Sequence, residues 1–428
     1  MIQLKPDRSD QIIIAALIFG LAISSFLYYN ARVDISNLLK ERDQFSSELL
    51  NLNNRYSNIS NQLQILSESN RELSQKIKEL ENHQSELSDE TPTIILNITA
   101  EGEVKNVILL IGDGMGIGQI TLAEIENGED SLAIANLPYM SLISTHSLSS
   151  YVTDSAASAT ALATGYKTNN GVVSKSYDGL ILSTIVEIAE SEGLSTGVIT
   201  NTRITHATPA CFLAHANSRD QENLIAEQVL NSGVDVVLGG GRSYFSSFNP
   251  SDKGYTVVEN TGELLEVESS KVIGLFTTGY MSYDNYRNPQ IEPSLAQMTK
   301  KSIELLSSDP EGFFLMVEGG RIDHASHAND FENTVSETLA FDLAVSEALE
   351  YASSRNDTLI IVTADHETGG LMITGGYQAS DVIYYDWVSD DHVGSLVPIY
   401  AYGPRAEEIM NFSDNTDVGK FLISLLDK

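Results

Sequence analysis

An α/β domain on a largely parallel central sheet, with helices on both faces, is the main architecture this sequence predicts. It is preceded by a transmembrane helix and a long coiled-coil helix. Three observations carry the prediction: an uncharged apolar run near the N-terminus, a sustained heptad pattern, and then β-rich apolar runs alternating with helical stretches. Together they divide the 428 residues into a short flank (1–11), a membrane anchor (12–29), a stalk (31–88) and one large domain (91–428).

Residues 12–29, "IIIAALIFGLAISSFLYY", hold no charge and are long enough for a helix across a bilayer. Tyr28 and Tyr29 fall where an interfacial aromatic belt belongs. Ala22 and Ser24 offer a small-x-small cleavage site, but the apolar run continues into Phe26 and Leu27, which favours an uncleaved anchor. Lys5 and Arg8 precede the span while Arg32, Lys40 and Arg42 follow it, so flanking charge leaves the orientation open.

Beyond the span, Leu38, Phe45, Leu52, Ile59, Leu66, Leu73, Leu80 and Leu87 recur every seven residues. A second seam runs through Ile35, Arg42, Leu49, Tyr56, Leu63, Asn70, Ile77 and Gln84, which is a coiled-coil pattern. Asn70 is the kind of buried polar residue that fixes register in a parallel dimer. Fully helical, 35–87 would make a rod of roughly 80 Å.

From residue 104 the texture changes to "VKNVILLIGD", "STGVITN", "VDVVLGGG", "FFLMVEGG", "TLIIVTADH" and "VPIYAYG", separated by helix-length segments, notably 331–353. Such alternation predicts parallel strands joined by helices. The net charge of −34 is concentrated here: residues 91–428 carry 16 basic and 46 acidic side chains. That balance excludes nucleic acid as a partner, which needs a basic footprint. The single cysteine, Cys211, excludes an intramolecular disulfide.

Three strands end in carboxylates: Asp113, Glu318 and Asp365. Ligands of open α/β sheets bind at those strand ends, and clustered carboxylates there require a cation. His366 follows Asp365 directly, and His327 lies four residues after Asp323, on the same helical face. Asp with His suits zinc, whereas an all-oxygen set suits magnesium. The glycine-rich "IGDGMGIG" has glycines at 112, 114, 116 and 118, which is the wrong spacing for dinucleotide binding. In "VTDSAASATALATG", Thr153 or Asp154 is a good N-cap, the small residues form a helix, and Gly165 suits its C-terminal end. Ser155 then sits where first-turn N–H groups favour an anion, as a nucleophile attacking phosphate needs.

"DGMG", "TDSAASATA", "THATPA" with "AHANSR", "GGGR", "PSLAQMT", "VEGGRIDHASHAND", "TADHETGG" and "DHVGS" followed by "AYGP" occur in that order from about residue 105 onward. In these motifs the chain resembles alkaline phosphatases. The resemblance implies a metal-dependent phosphomonoesterase in which Ser155 becomes phosphorylated. It implies that Arg219, oriented by Asp154, clamps the phosphate. One zinc would fall to Asp323, His327 and His392, and a second to Asp113, Asp365 and His366. A third ion, usually magnesium, would fall to Glu318, Thr208 and Asp113. Where the best-known bacterial pattern has an aspartate this chain has His206, and where it has a lysine this chain has His324. His206 is therefore expected behind the third ion, which opens that position to zinc, and His324 beside the phosphate. The stretch between His366 and His392 is short, so the crown-like insertion of larger relatives is reduced and a more open cleft is expected. Family habit also implies a homodimer, here parallel through the coiled coil, and a catalytic domain outside the cytoplasm of a single-pass protein. The competing readings are a phosphodiesterase or sulfatase on the same metal core, or a non-enzymatic coiled-coil surface protein.

Overall fold

The computed structural model describes residues 102–128, 131–377 and 382–426, together with the helical positions Gly20, Leu21, Ser24, Ser25 and Arg32. The expected membrane anchor over 12–29 and the coiled coil over 31–88 lie outside the described residues, apart from those five positions. Among the described residues no helix is long and apolar enough to cross a membrane. The chain divides into two units at Thr93, and the second, Ile94–Lys428, carries the sheet and its helices.

In chain order the described strands of this unit are β1 (Asn106–Gly112), β2 (Tyr139–Ile143), β3 (Ser195–Arg203), β4 (Val236–Gly240), β5 (Thr256–Val258) and β6 (Val272–Leu275). They continue with β7 (Phe313–Gly319), β8 (Thr358–Thr363), β9 (Glu367–Thr368), β10 (Met372–Tyr377), β11 (Val382–Asp386), β12 (His392–Val393) and β13 (Val397–Tyr402). Nine of them form one sheet in the order β2-β13-β8-β1-β7-β3-β4-β6-β5. Neighbours are parallel except around β13, which runs antiparallel to both β2 and β8. Every residue of β1, β7 and β8 is buried, as expected of parallel strands covered on both faces. The cover comes from two groups of helices. Leu295–Leu306 and Ile117–Glu126 both pack on the long helix Phe331–Ser353, while Ser155–Thr164 packs on Ala207–Leu213 and Asn415–Leu426.

All six β-rich runs picked out in the sequence are strands, and the helix over 331–353 has those bounds. Of the sheet strands without a sequence signal, β6 is a buried run of only four residues, and the other two have a physical reason for their silence. β2 and β5 are the sheet's two edges, half-exposed and short, so neither carries the continuous apolar run of a buried strand. Between His366 and His392 the chain forms a small antiparallel hairpin, β10–β11, whose side chains are mostly exposed.

The small-residue helix spans Ser155–Thr164, and all ten residues are buried. Asp154 is its N-cap: Ala157 N–H donates to Asp154 Oδ1 at 3.0 Å. Gly165 ends it at φ 76°, with its N–H donating to Ala161 O. The need for small residues is visible where this helix meets Asn415–Leu426. A Cβ added at Gly419 would lie 2.5 Å from Gly165 N and 2.6 Å from Ala161 O, backbone atoms that cannot yield without moving a helix. Gly419→Ala is therefore expected to destabilise the domain by about 1–3 kcal/mol through overpacking. Thermal denaturation checks this, and a melting temperature equal to that of the parent protein would contradict the close crossing.

Candidate metal centre

The site begins with strand adjacency. β8, β1 and β7 are neighbours, and the register sets Ile111 beside both Glu318 and Thr363. Asp113 and Asp365 therefore leave the sheet at one level, each two residues beyond that pair, while Glu318 stands two residues earlier on the other neighbouring strand, with strands roughly 5 Å apart. The chain then turns sharply after β1: Gly114 has φ 71°, and a Cβ there would meet Thr368 Oγ1 at 2.7 Å. Its N–H donates to Asp365 Oδ1 at 3.1 Å. After β7 comes the short helix Arg321–His327, which places Asp323 and His327 on one face as their spacing predicts.

These residues converge. Asp323 Oδ1 lies 3.4 Å from His327 Nε2 and 3.6 Å from His392 Nε2, and the two imidazole nitrogens are 3.1 Å apart. His366 Nε2 lies 3.4 Å from Asp113 Oδ1, 3.3 Å from Asp365 Oδ2 and 3.2 Å from Ser155 Oγ. Three sets have ligand atoms mutually within 4.8 Å: Asp323–His327–His392, Asp113–Asp323–His366 and Asp113–His206–Glu318.

Tautomers explain why a cation belongs here. His327 Nδ1 donates to Asp390 O at 2.7 Å, and His392 Nδ1 donates to Thr153 O at 2.8 Å. Thr368 Oγ1 donates to Asp323 Oδ1 at 2.6 Å, so it can only accept from His366 Nδ1, 3.2 Å away. All three rings thus carry their proton on Nδ1 and turn the Nε2 lone pair inward, the arrangement that second-layer acceptors impose on metal-ligating histidines. Lone pairs then face carboxylate oxygens with no proton between them. Both oxygens of Asp113, Asp365 Oδ2, Glu318 Oε1 and Thr208 Oγ1 are buried without a hydrogen-bond partner. Orphaned acceptors of this kind are costly unless a cation satisfies them. The donor set therefore fits divalent metal ions.

The titration behaviour agrees. Burial, then the charges of Asp365, Asp323 and Glu318, push Asp113 well above the usual carboxylate range. Burial, followed by Asp323, pushes Asp365 up to about 8. Glu318 is raised by burial, although Thr202 Oγ1 donates to its Oε2 at 3.0 Å and Thr200 Oγ1 donates there too. His366 is held well below its ordinary range by burial and by His392.

Beside this cluster, Arg219 Nη1 donates to Asp154 Oδ2 at 3.2 Å, and its Nη2 lies 3.2 Å from His206 Nε2. Gly171 N–H also donates to Asp154 Oδ2, at 3.0 Å, so Asp154 both caps the helix and aims the arginine. His206 belongs to a metal-capable set with Asp113 and Glu318. Burial, then Arg219, keeps it neutral well below its usual range. His324 packs edge-on against Tyr280 and near His206, with ring centroids 4.4 and 5.5 Å away. Burial lowers it to about 4. His146 and His215 pair instead with Asp414 and Glu187.

The expected site residues are therefore gathered in one place, while nothing in the sequence marks the residues that orient them: Thr368, Thr200, Thr202, Asn201 and Arg321. Thr368 and Arg321 stand inside "TADHETGG" and "VEGGRIDHASHAND", and Thr200 and Asn201 inside a β-rich run, yet neither setting hints at a role for them. Hydroxyls and amides give no periodic signal, and their role exists only across strands.

The alkaline phosphatase family profile matches residues 104–386. The chain is 35% identical to alkaline phosphatase 3 of Bacillus subtilis, over 77% of this chain and 72% of that protein. It is 32% identical to the alkaline phosphatase of Escherichia coli, over 78% and 88%. The structure of alkaline phosphatase from the Antarctic bacterium TAB5 is similar with a TM-score of 0.71 at 33% identity, over 76% of this chain and 99% of that one. A mutant of the TAB5 enzyme has been solved with magnesium bound in its M3 site.

Two outcomes are expected from this geometry. In the metal-free protein the raised carboxylates favour the protonated folded state, so stability falls as pH rises from about 4, the ordinary aspartate value, through about 8, where Asp365 titrates. Melting curves in chelator across that range should show the fall, and restoring zinc should abolish it. Thr368→Val removes the group that orients both Asp323 and His366, so metal affinity should drop roughly 10–100-fold in a chelator competition.

Proposed function

Because the chain belongs to the alkaline phosphatase family and is a phosphatase, we propose that it hydrolyses phosphate monoesters to an alcohol and inorganic phosphate through a phosphorylated Ser155. One observation carries the reading. The Ser155 hydroxyl lies 3.2 Å from an imidazole nitrogen of the cation-demanding cluster, at the first position of a helix whose N-cap holds an arginine.

In this reading Asp323, His327 and His392 hold one zinc, and Asp113, Asp365 and His366 hold the second. Asp113, Glu318 and Thr208 hold a third ion, magnesium or, with His206 close by, zinc. Ions bound there supply Lewis acidity, lowering the pKa of a nearby hydroxyl and taking up charge on the departing oxygen. The protein supplies the rest. Ser155 Oγ attacks phosphorus as the ester oxygen leaves opposite it, and the proton given up by the serine hydroxyl ends, by way of solvent, on the departing alkoxide to form the alcohol. Arg219, aimed by Asp154, pairs its planar fork with phosphoryl oxygens. The first-turn N–H groups of the Ser155–Thr164 helix add partial positive charge where the anion sits. His324, neutral in its buried place, stands beside the phosphate. Water then attacks the phosphoserine, regenerating the hydroxyl and releasing phosphate. Arg219 next to Asp154-Ser155 suits a dianionic monoester better than a diester or sulfate.

The N-terminal pattern completes the proposal. Residues 12–29 anchor the protein, 31–88 pair it as a parallel dimer, and the catalytic domain works outside the cytoplasm. Supporting this are the uncharged run and the heptads; the short β10–β11 hairpin supports the open cleft and weak leaving-group selectivity.

Purified protein loaded with zinc and magnesium should turn over an aryl phosphate far faster than an aryl diester or sulfate. Ser155→Ala should lower kcat by roughly 10³-fold or more while leaving bound metal intact. Equal turnover of diester, or full activity without Ser155, would overturn the assignment.

A further inference from the structure

Arg321 opens the short helix that carries Asp323 and His327, and it takes no part in the proposed reaction. Its guanidinium pairs with no carboxylate among the described residues. It lies 3.9 Å from the ring centroid of Tyr283 and 5.4 Å from that of Tyr280. Its backbone N–H donates to Asn201 Oδ1 at 3.2 Å, beside Gly320 N–H at 2.8 Å. Asn201 is fixed in turn, because its Nδ2 donates to Glu337 Oε2 at 2.9 Å. A residue tethered this firmly, in a strongly acidic domain, has been given one specific contact: Nη1 lies 2.8 Å from His324 Nδ1.

A guanidinium can only donate, so His324 Nδ1 must accept. A proton on Nδ1 would set two donors face to face at that distance, which excludes both the imidazolium and the other neutral tautomer. The ring proton therefore stands on Nε2, which has no partner among the described residues. This is the reverse of His327, His366 and His392, whose Nδ1 protons free Nε2 as a lone pair. The ring itself adjoins His206, which touches Arg219.

We propose that Arg321 is a positioning residue that locks His324 as the Nε2–H tautomer, so that the ring offers a hydrogen-bond donor to an oxygen of the substrate phosphate. A lone pair there would repel that oxygen or compete for metal. The chemistry of the acceptor rests on the phosphatase reading; the tautomer lock does not.

The test uses the metal-loaded full chain. Long-range nitrogen–proton spectra of histidine-labelled protein, with His324 assigned from a His324→Leu sample, should show its proton on Nε2 alone. Arg321→Met should bring in the Nδ1–H form and lower kcat/KM for an aryl phosphate about tenfold, the worth of one hydrogen bond to the transition state. It should also weaken inhibition by inorganic phosphate. In a His324→Leu background the same change should cost almost nothing more, because the two residues act as a unit. Should Arg321→Met fail to fold, Arg321→Lys and the parent spectrum decide. A proton on Nδ1 in the parent protein, or a loss equally large without His324, would overturn the proposal. Absence of turnover on every phosphate ester, with the Nε2–H form intact, would remove the phosphatase reading and leave the lock standing.

Discussion

Lone pairs pointing at lone pairs are what the rest of this structure is arranged around. His327, His366 and His392 each commit a proton to an outer acceptor and turn an unprotonated nitrogen toward carboxylate oxygens 3.3–3.6 Å away. Buried acceptors without donors are among the most expensive contents of a protein interior. Only cations convert that expense into cohesion, so binding free energy at the centre becomes folding free energy for the domain. A domain with so large an excess of acidic residues can handle an anionic substrate only where that charge is offset locally, as bound cations and Arg219 would offset it here.

The sheet supplies the convergence. Three adjacent parallel strands, β8, β1 and β7, end at one level, and each delivers a carboxylate where it ends or just beyond. Opposite them, the Ser155–Thr164 helix is built of residues small enough to sit wholly buried against two other helices. Bulk on that helix would displace its N-terminus, and with it Ser155 and the Asp154–Arg219 pair. Small side chains and metal ligands, so different in chemistry, thus serve the same distance.

An outer layer then decides which face of each ring is presented. Thr368, the carbonyls of Thr153 and Asp390, and the pair Thr200 and Thr202 orient the acceptor side of the centre. Arg321, held by Tyr283 and Asn201, orients a donor. Family membership accounts for the ligands; it does not by itself explain why one histidine of the group should carry its proton on the opposite nitrogen. The geometry around Arg321 does.

Much of this was legible in the linear chain. Six of the sheet's strands announced themselves as β-rich, mostly apolar runs, because a strand covered on both faces shows little polar period; β6, buried but only four residues long, did not. Asp113, Glu318 and Asp365 stood at strand ends, Asp323 and His327 at helical spacing, and Asp154-Ser155 at a cap. Those are local rules, set by backbone geometry within a few residues. Edge strands β2 and β5, the choice of β8 and β7 as the neighbours of β1, and every proton position were decided by tertiary structure alone. A tautomer depends on a partner up to about 240 residues away, as His392 depends on Thr153, and no local pattern encodes that distance. Residue types determined which atoms could bind metal and phosphate; packing decided which way each of them faces.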